Sequence, residues 1–391
     1  MTTFENQHLI DRDMYLADPH PFFEHLRRND PVYCDPTGTW ALTKLEDVKL
    51  AERQPQLFSS GLRGSRPNGS AQPSMIDSDD PSHADQRRLV QRGFTPRQMV
   101  AYESHVREVA TALVDRVIDR GECDVVTDIA KPMPMQLIGE FLGAPESDHA
   151  MLQNWSDALI AGADDPRYLT EDVMNAAMEY YGYIAPVIAE RKQNPGDDLI
   201  SKLLHPLDDD GGVMSDEMVI ANALLLLVGG NETTRNVITG GVHALLTNPD
   251  QLAHTMSTLD DPATTVEECL RWVTPIQNMN RVTTTDVEIR GVTIPAGAQV
   301  LMCYNSANRD EDVFDDPFRF DVTRNPNPHI AFGWGPHLCL GAALARLQIK
   351  IVLTEVLTRL TDLRLADADF VPEYSHSTFV RGMHTLPVRF G

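Results

Sequence analysis

The chain has 391 residues, 42% of them hydrophobic and 23% charged, the balance of a globular protein able to bury a large core. With 57 acidic residues against 33 basic ones its formal net charge is −24, which argues against nucleic acid or an anionic membrane as a global partner. Five cysteines (Cys34, Cys123, Cys269, Cys303, Cys339) lie without the spacing of a disulfide framework and fit a reducing cytosol.

In chain order, the N-terminus lacks the basic region and apolar core of a signal peptide. No stretch reaches the roughly 18 apolar residues of a spanning helix. A cytoplasmic protein without a membrane anchor is expected. Segments 21–29 and 45–53 read as helices, and 31–42 as paired strands turning at Thr37-Gly38. Segment 59–74, rich in Gly, Ser, Pro and Arg, reads as a loop, and loops of this length are often functional. Helical periodicity marks 81–121, 132–142, 147–161 and 170–191, a polar turn follows at 205–212, and further helices are predicted at 216–247 and 263–273. Segment 282–300 breaks into short strands at Gly291 and Pro295-Ala296-Gly297, and 342–360 returns to helix before a tail of short strands. No linker divides the chain, so one domain spanning 1–391 is expected.

Four constellations carry chemistry. Segment 332–341 reads Phe332-Gly333-Trp334-Gly335-Pro336-His337-Leu338-Cys339-Leu340-Gly341: a glycine-punctuated loop, then a lone cysteine, then a helix. A thiol near a helix N-terminus is favoured as an anion and as a metal ligand. The plainer possibility is a buried small hydrophobe. Structural zinc would need a second pair of ligands, which is missing. In the helix 216–247, Ser215 can cap and Asp216 and Glu217 suit the first turn. Its middle, 224–228, is apolar all round and then reads Gly229-Gly230-Asn231-Glu232-Thr233-Thr234. Two such glycines cost about 1 kcal/mol each relative to alanine. A buried acid and alcohol need partners. Close helix packing and a threonine bonded back to the preceding turn would also account for the stretch. Glu268-x-x-Arg271 fits one helix face and is commonly a surface bridge. His83-x-x-x-Arg87 places two cationic groups on one face after a helix start at Asp79-Asp80-Pro81-Ser82.

In order and spacing these motifs resemble the cytochrome P450 family, and the likeness covers nearly the whole chain. The resemblance implies a mainly α fold with a minor β part, holding a haem between the long central helix and the Cys339 loop. Cys339 would be the axial iron ligand, a thiolate that favours O–O cleavage. C-x-x-C-H is absent, so haem b would be held without a covalent bond. Phe332 and Gly229 would flank it, and His83, Arg87, Arg281 and His337 would meet its propionates through charge-assisted hydrogen bonds. Thr233 would hydrogen-bond dioxygen and Glu232 would help deliver protons, while Asn231 departs from what many relatives carry there. Glu268, Arg271 and Arg319, the last in Asp316-Pro317-Phe318-Arg319-Phe320, would form a structural network. The implied activity is monooxygenation of a hydrophobic small molecule, a ferredoxin and its reductase supplying electrons because no flavin or nicotinamide fingerprint appears.

Basic residues near Arg88, Arg92 and Arg97 offer a dock for an acidic electron-transfer protein. Segments 229–236 and 324–329 resemble actinobacterial hydroxylases of sterol and branched-lipid side chains. Met75, Ile76, Trp155, Leu159, Ile160, Leu225, Val228, Ile276, Met279 and Phe379 are candidate pocket walls. A monomer is expected. The alternatives are a tailoring enzyme for a more polar natural product, a peroxide-driven peroxygenase, and a haem-thiolate sensor.

Overall fold

A 32-residue helix, Asp216–Thr247, organises the computed structural model, in which residues 7–67, 69, 71–94, 96–162, 169–205 and 212–391 are described, the side chains of 92 and 96–101 excepted. The Ser215 hydroxyl caps it by accepting from the Met218 N–H. Its C-terminal half buries Val237, Ile238, Val242 and Leu245 in a large core shared with helices Pro96–Asp115 and Ala342–Arg359. Its N-terminal half packs Val219, Ala223, Leu226 and Leu227 against helices Pro132–Phe141, His149–Ala161 and Glu171–Gln193. The middle of the helix therefore lies between two cores, one on each side of the region that carries Gly229 to Thr234.

Helix Ala263–Val273 crosses the central helix at Gly240 and Gly241. A Cβ on Gly240 would sit 2.6 Å from Val273 Cγ2, and one on Gly241 2.9 Å from Cys269 Sγ. Only glycine permits this approach, which seats Glu268 and Arg271 in the interior.

The β part is small. The strands are β1 (Val32–Cys34), β2 (Trp40–Leu42), β3 (Phe58–Ser59), β4 (Glu122–Asp124), β5 (Met279–Thr283), β6 (Val287–Ile289), β7 (Val292–Ile294), β8 (Gln299–Met302), β9 (Arg364–Leu365) and β10 (Pro387–Arg389). The main sheet has the order β1-β2-β8-β5-β3, with β2 parallel to β8 and the other pairs antiparallel. β4-β10-β9 form a second sheet and β6-β7 a hairpin. The protein is mainly α with a minor β part, as the sequence implies.

Segment 81–121 divides into Ser82–Val90, a short turn at Gln91–Gly93, and Pro96–Asp115. Pro96 has no N–H to continue the first helix and opens the second. Three short helices, Arg12–Leu16, Leu199–Leu204 and Pro249–Ser257, carry too few residues to show a period in sequence. The turn expected at 205–212 falls mostly at 206–211, outside the described residues. Among the described residues no helix is long and apolar enough to cross a membrane.

Candidate active site

A cavity of about 500 Å³ lies between the central helix and the loop leading into helix Ala342–Arg359. That loop turns at Gly335, whose φ of +65° places it in the left-handed region. A Cβ there would collide with the Glu52 carbonyl at the end of helix Leu45–Glu52. The Cys339 N–H donates to the Phe332 carbonyl at 2.9 Å, folding the loop back on itself. Cys339 sits deep in the chain, yet its side chain is accessible because it opens onto the cavity. Burial pushes its thiol up, and the Gly341 N–H and the charges of Arg87 and Arg346 pull it back by less. This corrects the expectation of a thiol lowered by the helix terminus. Gly341 rather than Cys339 is the N-cap, so desolvation dominates. A thiolate here needs a cation in place of lost water.

Gly229 faces the cavity from the opposite wall, and a Cβ on it would meet nothing within 4 Å. The helix is continuous past this point, and the Thr233 hydroxyl donates to the Gly229 carbonyl at 2.8 Å. The bond back to the preceding turn is thus present. Glu232 is 2% exposed, and its Oε2 meets the Arg235 guanidinium, while its Oε1 has no hydrogen-bond partner. Arg235 also donates to Asp157 Oδ1 at 2.9 Å, and Lys131 Nζ lies 2.5 Å from Asp157 Oδ2. Burial pushes the Glu232 carboxyl up to about 8, with Arg235 opposing and Asp157 adding to the rise. Burial also raises Asp157, but its hydrogen bonds to Glu232 and Lys131 and the charge of Arg235 outweigh this, so it titrates low. The acid inside keeps its proton and the acid nearer the surface loses it. Asn231 donates to Ser156 Oγ at 3.2 Å, tying the central helix to His149–Ala161. The sequence reading missed Asp157 and Lys131. Arg235, three residues after Glu232, was legible as an i, i+3 partner.

The four groups expected at the propionates all line the cavity. The rings of His83 and His337 stack at 4.1 Å between centroids. His337 accepts from or donates to Ser60 Oγ at 3.2 Å, and burial, then the charges of Arg281, His83 and Arg87, push it down to about 2, so it is neutral. His83 Nδ1 faces Asp80 at 3.2 Å, and its Nε2 is buried without a partner. Arg87 donates to the Leu338 carbonyl at 2.7 Å. Arg281 is held by Glu52 at 3.2 Å, and Glu52 also accepts from the Tyr304 hydroxyl, two buried partners with no sequence signal. Haem fits this donor set. An accessible thiol faces an open glycine across an apolar space, and an unpartnered buried imidazole nitrogen and two guanidinium groups stand where carboxylates would be met.

The Glu268–Arg271 pair is fully buried and bidentate, at 2.8 and 2.7 Å. Arg319 does not join it through its side chain, which is exposed; only its carbonyl accepts, from Arg271 at 3.0 Å. The third cation is Arg324, 3.4 Å from Glu268. The correction has a geometric cause. The turn after Phe318 points the Arg319 side chain outward and brings residues 321–327 over Glu268, where the Asp321 N–H and Asn327 Nδ2 also donate.

Met75, Ile76, Leu159, Ile160, Leu225, Val228, Ile276, Met279 and Phe379 line the cavity, as does Phe332. Trp155 does not. It packs against Tyr180 and Tyr183 and donates to Glu179 at 2.8 Å, because its helix face turns to Glu171–Gln193. Unforeseen walls come from the latter helix, at Val173, Met174, Ala177 and Tyr181. Arg88 is exposed near Asp85, and the side chains of Arg92 and Arg97 lie outside the described residues.

A family profile described as Cytochrome P450 matches residues 263–383. The chain is 40% identical over 381 residues to a steroid C26-monooxygenase of Mycolicibacterium smegmatis, covering 96% of this chain and 94% of that protein. It is 39% identical to a methyl-branched lipid omega-hydroxylase of Mycobacterium tuberculosis, over 94% of this chain and 90% of that protein. A Mycobacterium marinum cytochrome P450 solved in complex with pseudoionone superposes with a TM-score of 0.89 at 34% identity, covering 100% of both chains.

Proposed function

The chain belongs to the cytochrome P450 family and is a monooxygenase, and from that premise we propose that it hydroxylates a steroid, terpenoid or branched lipid with Cys339 as the iron ligand. In this reading the chain acts as one catalytic unit with haem b, and a ferredoxin and its reductase supply the electrons. The observation that carries the substrate class is the apolar wall from Met75 to Phe379, together with the names of the full-length relatives. Apolar walls bind by area, at about 25 cal/mol per Å² removed from water, so bulky hydrophobes outbind small polar molecules.

Thiolate-held haem, when bound, supplies the activation of dioxygen and the insertion of one oxygen atom into a C–H bond. The protein's share is positional and protic. Gly229 has no side chain and leaves open the part of the cavity it lines, where a haem held by Cys339 would need room. Thr233 lines the cavity, and its hydroxyl donates to the Gly229 carbonyl, so it must give up that bond to donate to a guest. Glu232 holds a proton at neutral pH on a carboxyl whose Oε1 is unengaged, and the Arg235–Asp157–Lys131 chain links it toward the surface.

Two measurements test this reading. A panel of steroids, terpenoids and branched fatty chains is expected to shift the Soret band of the holoenzyme with dissociation constants in the micromolar range. Shifts with polar macrocycles alone would overturn the lipid assignment and leave the monooxygenase standing. Thr233→Ala is expected to bind haem and substrate normally but to consume reductant with less product and more hydrogen peroxide. Unchanged coupling would remove Thr233 from the proton path.

A further inference from the structure

Among the described residues three guanidinium groups line the cavity, and two of them belong to the expected propionate set and already hold protein partners: Arg87 on the Leu338 carbonyl, Arg281 on Glu52 and the Asn280 carbonyl. The third, Arg66, makes no side-chain hydrogen bond, ion pair or ring contact among the described residues. Neither described carboxylate on the cavity wall pairs with it: Glu232 is engaged by Arg235 through Oε2, and Asp77 accepts from the Ser65 N–H at 2.8 Å, the Ser65 hydroxyl at 2.6 Å and the Gln72 N–H at 3.1 Å.

Those same bonds fix the backbone that carries Arg66. Asn280 of β5 closes the other side, its N–H donating to the Ser65 carbonyl at 2.8 Å and its amide to the Gly64 carbonyl at 2.9 Å. The Gly69 N–H donates to the Arg66 carbonyl itself at 3.1 Å. A half-buried cation is thus held on a pinned loop at the edge of an apolar cavity, on a chain whose net charge of −24 would otherwise repel anions. A guanidinium prefers an oxyanion that can take two of its donors.

Resting on the lipid reading above, we infer that Arg66 is a specificity-determining residue that binds an anionic group of an amphipathic lipid substrate. Arg66 enters from the loop that follows β3, tied to β5 through Asn280, whereas Gly229 belongs to the central helix and Cys339 to the loop leading into helix Ala342–Arg359. The charged group and the oxidised carbon are therefore different parts of one molecule. The apolar body spans the walls between them, and the ionic contact sets which carbon is presented.

The test titrates the holoenzyme with hexadecanoic acid against methyl hexadecanoate, and with lithocholic acid against methyl lithocholate, following the Soret shift. The two arms separate a fatty chain from a steroid. In the unmodified protein at least one acid is expected to bind about tenfold more tightly than its ester, a preference that shrinks as salt is raised. Arg66→Gln should erase the preference without weakening the ester, and Arg66→Lys should restore part of it. Equal affinity of each acid and its ester in the unmodified protein, or a preference that survives Arg66→Gln, overturns the inference and leaves the lipid reading intact. Loss of haem or an altered resting spectrum in Arg66→Gln also overturns it, because Arg66 would then serve the cofactor. If none of the four probes binds, the inference is overturned, and the terpenoids and branched chains of the panel above decide the lipid reading separately.

Discussion

Cys339→Ser is expected to abolish monooxygenation and, with carbon monoxide on the reduced protein, the long-wavelength Soret band that marks thiolate ligation. The reason lies in what surrounds the sulfur. The thiol opens onto the cavity opposite Gly229, and burial alone would keep it protonated. A metal cation would favour the anion by replacing lost solvent, and the gain in metal–sulfur bonding would oppose that desolvation cost. A serine hydroxyl in the same place faces the same burial with a far higher intrinsic pKa, so it stays neutral and donates little electron density. The exchange is nearly isosteric, the Phe332 carbonyl still receives the backbone N–H of position 339, and the fold should survive. Thermal denaturation of the apoprotein close to that of the unmodified chain would separate loss of ligation from loss of structure. A serine variant that kept both band and turnover would remove Cys339 from the iron.

Glu268→Ala and Arg271→Ala are each expected to destabilise the fold by roughly 3–5 kcal/mol, the range for breaking one half of a buried ion pair. Both side chains are 0% exposed, so Glu268→Ala strands the Arg271 charge away from water, and Arg271→Ala leaves buried Glu268 only the more distant Arg324 as a countercharge. The loss spreads beyond the pair. Arg271 also donates to the carbonyls of Asn308, Pro317 and Arg319, and Glu268 accepts from the Asp321 N–H and Asn327. These bonds bind helix Ala263–Val273 to the long irregular segment that precedes the Cys339 loop. Urea denaturation should show the drop in midpoint, and the purified variants should hold substoichiometric haem. Glu268→Gln should lie between, since it removes the charge of one partner but keeps the size and part of the hydrogen bonding. Either alanine variant recovered with full haem and unchanged stability would contradict the network.

The two arguments differ in how much of them was legible beforehand. The Cys339 loop could be read because a glycine-broken turn, a thiol and a helix follow one another within ten residues, and such order is local. Helices 216–247 and 263–273 match Asp216–Thr247 and Ala263–Val273 for the same reason. Their apolar periods repeat over several turns, and Ser215 marks one start chemically. Glu268 and Arg271 share a helix turn, so their pairing was local too, but the choice between Arg319 and Arg324 was not. Both stand in the same short segment, and a single turn of backbone decides which reaches Glu268.

What the sequence by itself determined was therefore the main helices, the order of glycines, thiol and helix around Cys339, and the adjacency of Glu232 and Thr233, because each depends on neighbours within a few turns, while the class of fold followed from the family resemblance of those motifs taken together. Tertiary structure alone decided the rest. Asp157 reaches the Glu232–Arg235 pair because helix His149–Ala161 docks beside the central helix, Lys131 meets Asp157 from the start of helix Pro132–Phe141, and Glu52 meets Arg281 across more than 200 residues of chain while accepting from the Tyr304 hydroxyl. Trp155 turned into helix packing and Tyr181 onto the cavity for a similar reason: an amphipathic period says that a face is buried, not which neighbour buries it. Partner choice at a distance is settled by how helices dock, and the energies that settle it, a few hydrogen bonds in a medium of low polarity, leave no period to read in one dimension.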